Sequence, residues 1–267
     1  MMKKKKKKII YISILVFLII LTAGFSLMNF VSATGNDSYT KLLLHNDGAN
    51  GSTTFTDSET TPKTVTATGS VQISTTQSRF GGSSGNFYGD GANDYLEIPD
   101  NDDWNFGSGA FTIDFWMNTA NNTVCQYMIL QGPGPVWWGI GYDCGGTANT
   151  IRVGNLAATA MNSTTVLALN TWYHIALVSD GATTKLFVNG NLEASATAIT
   201  VSDATGSLYI GANSTLLGVQ GFLGYLDEFR VSKGIARWTS NFTPPGCDYD
   251  SECGGAPPKV PDVMIFE

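Results

Sequence analysis

The sequence predicts an all-β fold, a two-sheet antiparallel sandwich of the jelly-roll kind. Three observations predict it. First, apolar residues alternate along short runs: in "AFTIDFWMN", Phe111, Ile113, Phe115 and Met117 face one way and Thr112, Asp114, Trp116 and Asn118 the other. Second, "WYHIALVS", "TKLFVNG", "GSLYIGA" and "GYLDEFRVS" repeat the pattern, separated by Gly, Asn and Asp turn residues. Third, apolar spacing of three and four is rare, so little of the chain reads as helix. A single turn near "KGIARW", Lys233–Trp238, is the one helical candidate after the leader.

The chain opens with an N-terminal signal helix, residues 1–33. "MMKKKKKK" precedes an apolar run from Ile9 to Met28, and Val31-Ser32-Ala33 ends on small residues suited to signal peptidase. The run also has the length of a membrane span, so an uncleaved anchor is the alternative. Either reading exports the chain beyond Ala33 and makes the protein secreted or cell-surface, touching a membrane only through this segment. Residues 34–40 read as a short linker, 41–243 as the folded domain, and 244–267 as an irregular tail holding five of the nine prolines.

Charge narrows the partners. Beyond residue 33, nine Lys and Arg face all twenty-two Asp and Glu, a balance of −13. That excludes nucleic acid and anionic membrane, which need a basic face. Four cysteines suit an oxidising compartment. Three connectivities exist, and nearest-neighbour pairing, Cys125–Cys144 and Cys247–Cys253, is the expectation that spacing alone does not prove. No CxxC spacing supports zinc.

The domain's turns and core obey the same pattern. Asn189-Gly190 is a strong hairpin signal, since both residues tolerate positive φ. Phe111, Ile113, Phe115, Ile175, Leu177, Leu186, Val188, Leu208, Ile210, Leu226 and Phe229 form the expected inward set. Each such burial stabilises by about 1.5–3 kcal/mol, more than a surface ion pair contributes.

Five segments occur in a familiar order: "LLLHNDGANGSTTFTDSE", "GGSSGNFYGDGANDYLEIPDNDDWNFGSGAFTIDFWMNT", "TWYHIALVSDGATTKLFVNGNLEAS", "LYIGANS" and "GFLGYLDEFRVSKGIARW". Together they resemble the laminin-G-like, concanavalin A-like jelly-roll domains of many secreted and phage-associated proteins. The resemblance spans nearly all of residues 41–245. It implies an antiparallel sandwich of about a dozen strands and a role in binding carbohydrates or protein partners. It also implies a structural Ca²⁺ at the rim, with Asp47 of "HNDG" and Asp227 of "GYLDEF" at the matching positions and backbone carbonyls completing the shell. An Asx turn at Asp47 and an edge cap at Asp227 are the structural alternatives. "CDYDSEC" is a weaker cation candidate.

One related branch hydrolyses glucans, using acids at alternate positions of one strand. Retaining glycosidases need two carboxyl groups about 5–5.5 Å apart. "FTIDFWM" offers only Asp114, Asp227 and Glu228 are adjacent and expected on opposite faces, and "DYDSE" is expected outside the sandwich. His45 and His174 lie near no nucleophile motif and read as packed residues. The protein is therefore read as no enzyme, with a glycoside hydrolase as the minor alternative. For sugar binding, parity groups Trp138 with Ile140 and Tyr142 inward and leaves Trp137 for the surface; Trp116, beside Asp114, lies opposite the core stripe. Trp137, Trp116 and Asp114 are the ligand-binding candidates. The expected function is a non-catalytic binding or adhesion module for a glycan; the alternative is a structural or protein–protein module, bound to a surface protein, in a cell-surface or virion assembly.

Overall fold

The computed structural model describes residues 35–88, 94–132, 138–144, 147–154, 161–197, 200–201, 204–211 and 220–250. The leader, Trp137, Cys253 and the tail beyond Asp250 lie outside the described residues. Among those described, no helix is long and apolar enough to cross a membrane.

The strands are, in order, β1 (Thr40–Leu44), β2 (Thr66–Thr68), β3 (Gln72–Ser74), β4 (Ser84–Asn86), β5 (Tyr95–Ile98), β6 (Ala110–Thr119), β7 (Gln126–Gln131) and β8 (Trp138–Tyr142). Next come β9 (Ile151–Gly154), β10 (Met161–Asn162), β11 (Trp172–Asp180), β12 (Thr183–Val188), β13 (Asn191–Thr197), β14 (Leu208–Ile210), β15 (Gln220–Gly221) and β16 (Gly224–Lys233). They form two sheets. One runs β13-β12-β11-β6-β16-β4-β3, with β1 also on β16; the other runs β10-β9-β8-β7-β14-β5-β2, with β15 on β7. All pairings are antiparallel except β15 with β7. The expected all-β sandwich is the observed one.

The inner faces meet in one apolar cluster. Every member of the expected inward set is buried there, and Trp138, Ile140 and Tyr142 join it as parity requires. Cys125 and Cys144 form the expected disulfide, tying the start of β7 to the end of β8. Cys247 is also disulfide-bonded. The Asn189-Gly190 turn joins β12 and β13 with φ of 48° and 75°. Gly190 is required for a second reason: a Cβ there would lie 1.9 Å from the carbonyl oxygen of Phe242, and the Phe242 N–H donates to Gly190 O.

The expected helical turn at Lys233–Trp238 does not form. Its backbone bonds elsewhere: the Thr112 hydroxyl donates to Ile235 O (3.1 Å) and accepts from the Arg237 N–H (3.0 Å). The short helix observed is a 3-10 turn at Asp102–Trp104, capped by Asn101, whose side chain accepts from the Asp103 N–H.

Residues 234–250 run across the face of the first sheet that points away from the core. Trp238 and Phe242 stack (4.0 Å between centroids) and pack on Ala176, Val178 and Phe187. Tyr249, expected in an irregular tail, is fully buried. Beneath them lies Asp114, fully buried and gripped by Arg230 in two bonds, Nε to Oδ1 at 3.0 Å and Nη2 to Oδ2 at 2.9 Å. Arg230 also bonds Gly35 O and lies 4.2 Å from the centre of the Tyr249 ring. Arg237 holds Asp37 through both Nη atoms. One fork of cations thus fastens both ends of the domain to its outer face.

Removing one member of a buried pair strands the other without a counter-charge, at about 3–5 kcal/mol. Asp114→Leu is expected to lower unfolding stability in urea by about that much, and adding Arg230→Met is expected to recover part of the loss.

Candidate functional site

Two adjoining hollows lie on the outer face of the first sheet. The larger, about 470 Å³, is lined by Arg79, Trp116, Trp172, Asn189 and the segment Thr243–Gly246. The smaller, about 230 Å³, is lined by Gln77, Tyr88, Asn118, Ala120, Asn170 and Tyr225. Strand register sets them side by side. On the floor, Trp116 and Asn118 are two residues apart on β6 and so share a face. On one flank Gln77 and Arg79 are likewise two apart, and on the other Asn170 precedes Trp172, the cross-strand partner of Asn118. Each pair contributes one residue to each hollow. The two β6 residues lie about 6.6 Å apart along the strand.

The side chains in the smaller hollow are uncommitted. Among the described residues, the amides of Gln77, Asn118 and Asn170 make no hydrogen bond, and Tyr88 is 58% exposed. In the larger hollow the Arg79 guanidinium lies 4.1 Å from the centre of the Trp116 ring and 4.9 Å from that of Phe80. Trp116 is 5% exposed, and among the described residues its buried indole N–H has no partner. Such an orphan costs about 1–3 kcal/mol. Asp114, by contrast, has both oxygens engaged by Arg230 and faces neither hollow. That pairing, working against burial, holds its carboxyl well below the usual carboxylate range. His174, equally buried, is lowered by burial and shares a hydrogen bond with the Tyr249 hydroxyl (3.1 Å). Trp137 lies outside the described residues.

At the rim, β16 changes neighbours, pairing β4 through Tyr225 and Leu226 and β1 through Phe229 to Ser232. The extra residue appears as a bulge between Asp227 and Arg230, with Glu228 at φ 48°. The bulge corrects the expectation that Asp227 and Glu228 point to opposite faces. Asp227 accepts the N–H groups of Arg79 and Phe80 on Oδ2 and of Glu228 on Oδ1. Glu228 takes the Tyr249 N–H (2.9 Å) and the His45 Nδ1 (2.9 Å), so both acids serve the covered side. His45 Nε2 reaches Asp250 (2.9 Å), so the imidazole bridges Glu228 to the covering segment. Burial opposes the charge on His45, but Glu228 and Asp250 win and raise it to about 9.

Asp47 sits beside this corner, its Oδ1 accepting from the Ser83 hydroxyl. Burial raises its carboxyl, with Asp248 adding repulsion. Burial, reinforced by Glu228 and Asp47, pushes Asp227 up to about 8 despite its N–H donors. A Cβ at Gly81 would lie 2.1 Å from the Asp47 oxygens, so only glycine leaves this carboxylate its place. Asp47 and Asp227 are the acids that would offer oxygens to a hard cation at this corner. Among the described residues no three His, Cys, Asp or Glu side chains converge as a metal cluster, so such an ion would complete its shell with carbonyls and water.

The sheets and the groove on their outer face define a two-sheet jelly roll. A family model described as the Concanavalin A-like lectin/glucanases superfamily, of the laminin G type, matches residues 90–237. The chain belongs to that superfamily. A comparison with curated proteins finds no match. Among solved structures, the fold is similar to domain 4 of AbnA, a GH43 extracellular arabinanase from Geobacillus stearothermophilus. The TM-score is 0.55 at 18% identity, covering 74% of this chain and 93% of that one. It is also similar to the binding domain of botulinum neurotoxin serotype C1, at TM-score 0.52 and 14% identity, and to that of botulinum neurotoxin DC, at 0.51 and 14%. This chain covers about half of each toxin chain (50% and 49%), and each match covers 74% of this chain.

The raised groups at the rim dictate a pH dependence. A histidine whose folded pKa exceeds its unfolded value contributes stability that is complete below about 6.5 and lost as pH rises through about 9. A raised acid such as Asp227 makes stability fall from about 4 up to about 8. Melting temperature is therefore expected to decline from mildly acidic to alkaline pH. His45→Gln should flatten the curve between about 6.5 and 9, measured by differential scanning fluorimetry across buffers.

Proposed function

We propose that this protein is an exported, non-catalytic carbohydrate-binding module whose ligand lies along the groove on the outer face of the first sheet. The observation that carries the reading is the matched lining. Uncommitted amides at Gln77, Asn118 and Asn170 line one hollow with the exposed ring of Tyr88, and the half-buried ring of Trp172 lines the other. Amides exchange hydrogen bonds with hydroxyls, and aromatic faces receive the apolar face of a sugar ring. The same fold in the arabinanase domain is seen in complex with arabinotriose, and that of the neurotoxin DC binding domain with SialylT. Both support the reading. Among the described residues no carboxylate lines either hollow, so they bring no pair of acids of the kind bond cleavage requires to the groove. The Cys125–Cys144 disulfide supports an oxidising, extracytoplasmic setting.

A Ca²⁺ at the Asp47–Asp227 corner is part of this proposal, with Asp248 as the third nearby acid. It would neutralise the crowded carboxylates and fix the rim of the sandwich.

Two measurements test these assignments. Trp172→Ala is expected to weaken retention in polysaccharide affinity gels about three- to tenfold while circular dichroism shows the variant still folded, as loss of one stacking contact predicts; unchanged retention counts against the groove. Trp137→Ala, run alongside, tests the expected exposed tryptophan. Chelation by EDTA is expected to lower the melting temperature at pH 8, and Asp47→Asn to remove that response; identical curves with and without chelator count against calcium.

A further inference from the structure

The groove's chemistry is one-sided. The described side chains of the larger hollow offer donors almost exclusively: the Arg79 guanidinium, the indole N–H of Trp172 and the amide nitrogen of Asn189. Asn189 has only that nitrogen to give, because its Oδ1 already accepts from the His174 N–H at 2.9 Å. Among the described residues, the Thr243 hydroxyl is the single lining side chain that also accepts.

The charge is one-sided too. Among the described residues, Arg79 is the only charged one lining either hollow, in a chain where Asp and Glu outnumber Lys and Arg by 22 to 15. Among those residues its guanidinium makes no hydrogen bond and no ion pair. Its contacts are with the Trp116 and Phe80 rings, which support the flat group and leave its edge free. That edge matches a carboxylate, which accepts two parallel N–H bonds. The nearest acid, Asp227, spends its oxygens on backbone N–H groups of residues 79, 80 and 228 and does not reach the guanidinium.

We propose that the groove selects an acidic glycan: Arg79 holds the carboxylate of a uronic- or sialic-acid-type sugar, and the half-buried Trp172 carries the ring. The inference rests on the glycan reading of the same groove and narrows it to a ligand class. The neighbouring hollow, with amides and no charge among its described residues, takes an adjacent sugar by its hydroxyls. A neutral sugar in the larger hollow would leave Arg79 without a counter-ion, whereas a carboxylate satisfies the guanidinium.

The test measures affinity of the full chain for polygalacturonate, alginate and polysialic acid. Neutral arabinan, methyl-esterified polygalacturonate and dextran sulfate serve as comparisons. At least one carboxylated polymer is expected to bind about tenfold or more tighter than arabinan or the ester, with binding weakened by salt. Arg79→Gln is expected to abolish that preference, and Arg79→Lys to restore part of it, since a charge-assisted bond accounts for about a tenfold change. Arg79 is exposed, so melting temperature should be unchanged. Equal binding of neutral and acidic polymers, unaltered by Arg79→Gln, overturns the acidic selectivity and leaves glycan binding standing. Binding of dextran sulfate alone overturns the carboxylate assignment. Retention of none of these polymers, and of no neutral glycan in a broad panel, overturns both readings.

Discussion

The arrangement of the outer face depends on the buried pair between Asp114 and Arg230. A carboxylate in the middle of β6 cannot remain solvent-free without a partner, and β16, the adjacent strand, supplies it at the same level of the ladder. Once paired, the two ions form a polar floor on which Tyr249 and Gly35 settle, and the Trp238–Phe242 stack closes over the apolar positions beside them. The sheet therefore has two covered faces of different character. One is a broad hydrocarbon interior. The other is a narrow mixed layer built by chain segments outside the strands. The groove is the part of that face which the covering segments leave open.

The interior was legible from period-two alternation, because burial between two sheets selects apolar residues at every second position. Leu226 and Phe229 are both inward, three residues apart, which a regular strand cannot achieve; the bulge at Glu228 reconciles them. That odd spacing was the available signal for the bulge, and it also explains why two adjacent acids serve one side. The outer face was harder to read. Parity correctly turned Asp114 and Trp116 away from the core, yet nothing local to "FTIDFWM" shows that residues more than a hundred positions later will cover them. "KGIARW" has a helix-like look because its apolar residues are spaced for one turn, but Thr112 offers its backbone a better partner. Gln77, Tyr88, Asn118 and Asn170 were missed because uncommitted amides look like ordinary loop residues until register sets them beside one another.

Electrostatics divides the domain into two regions. The rim corner gathers carboxylates and resolves part of their repulsion through His45, whose two nitrogens bridge Glu228 and Asp250. The described lining of the groove excludes carboxylates and retains one cation on an aromatic base. The two regions meet at Asp227, whose oxygens hold the backbone of residues 79 and 80. An acid of the rim thereby fixes the position of the cation in the groove, although the two groups make no salt bridge.

One flank of the cleft, Thr243 to Gly246, is made of residues that come after the final strand, held where Phe242 meets the Asn189-Gly190 turn. A chain emerging from the ribosome thus has every strand of its two sheets available before this flank exists. Completion of the described strands and completion of the groove are separate events in synthesis, and the second waits for residues that follow β16.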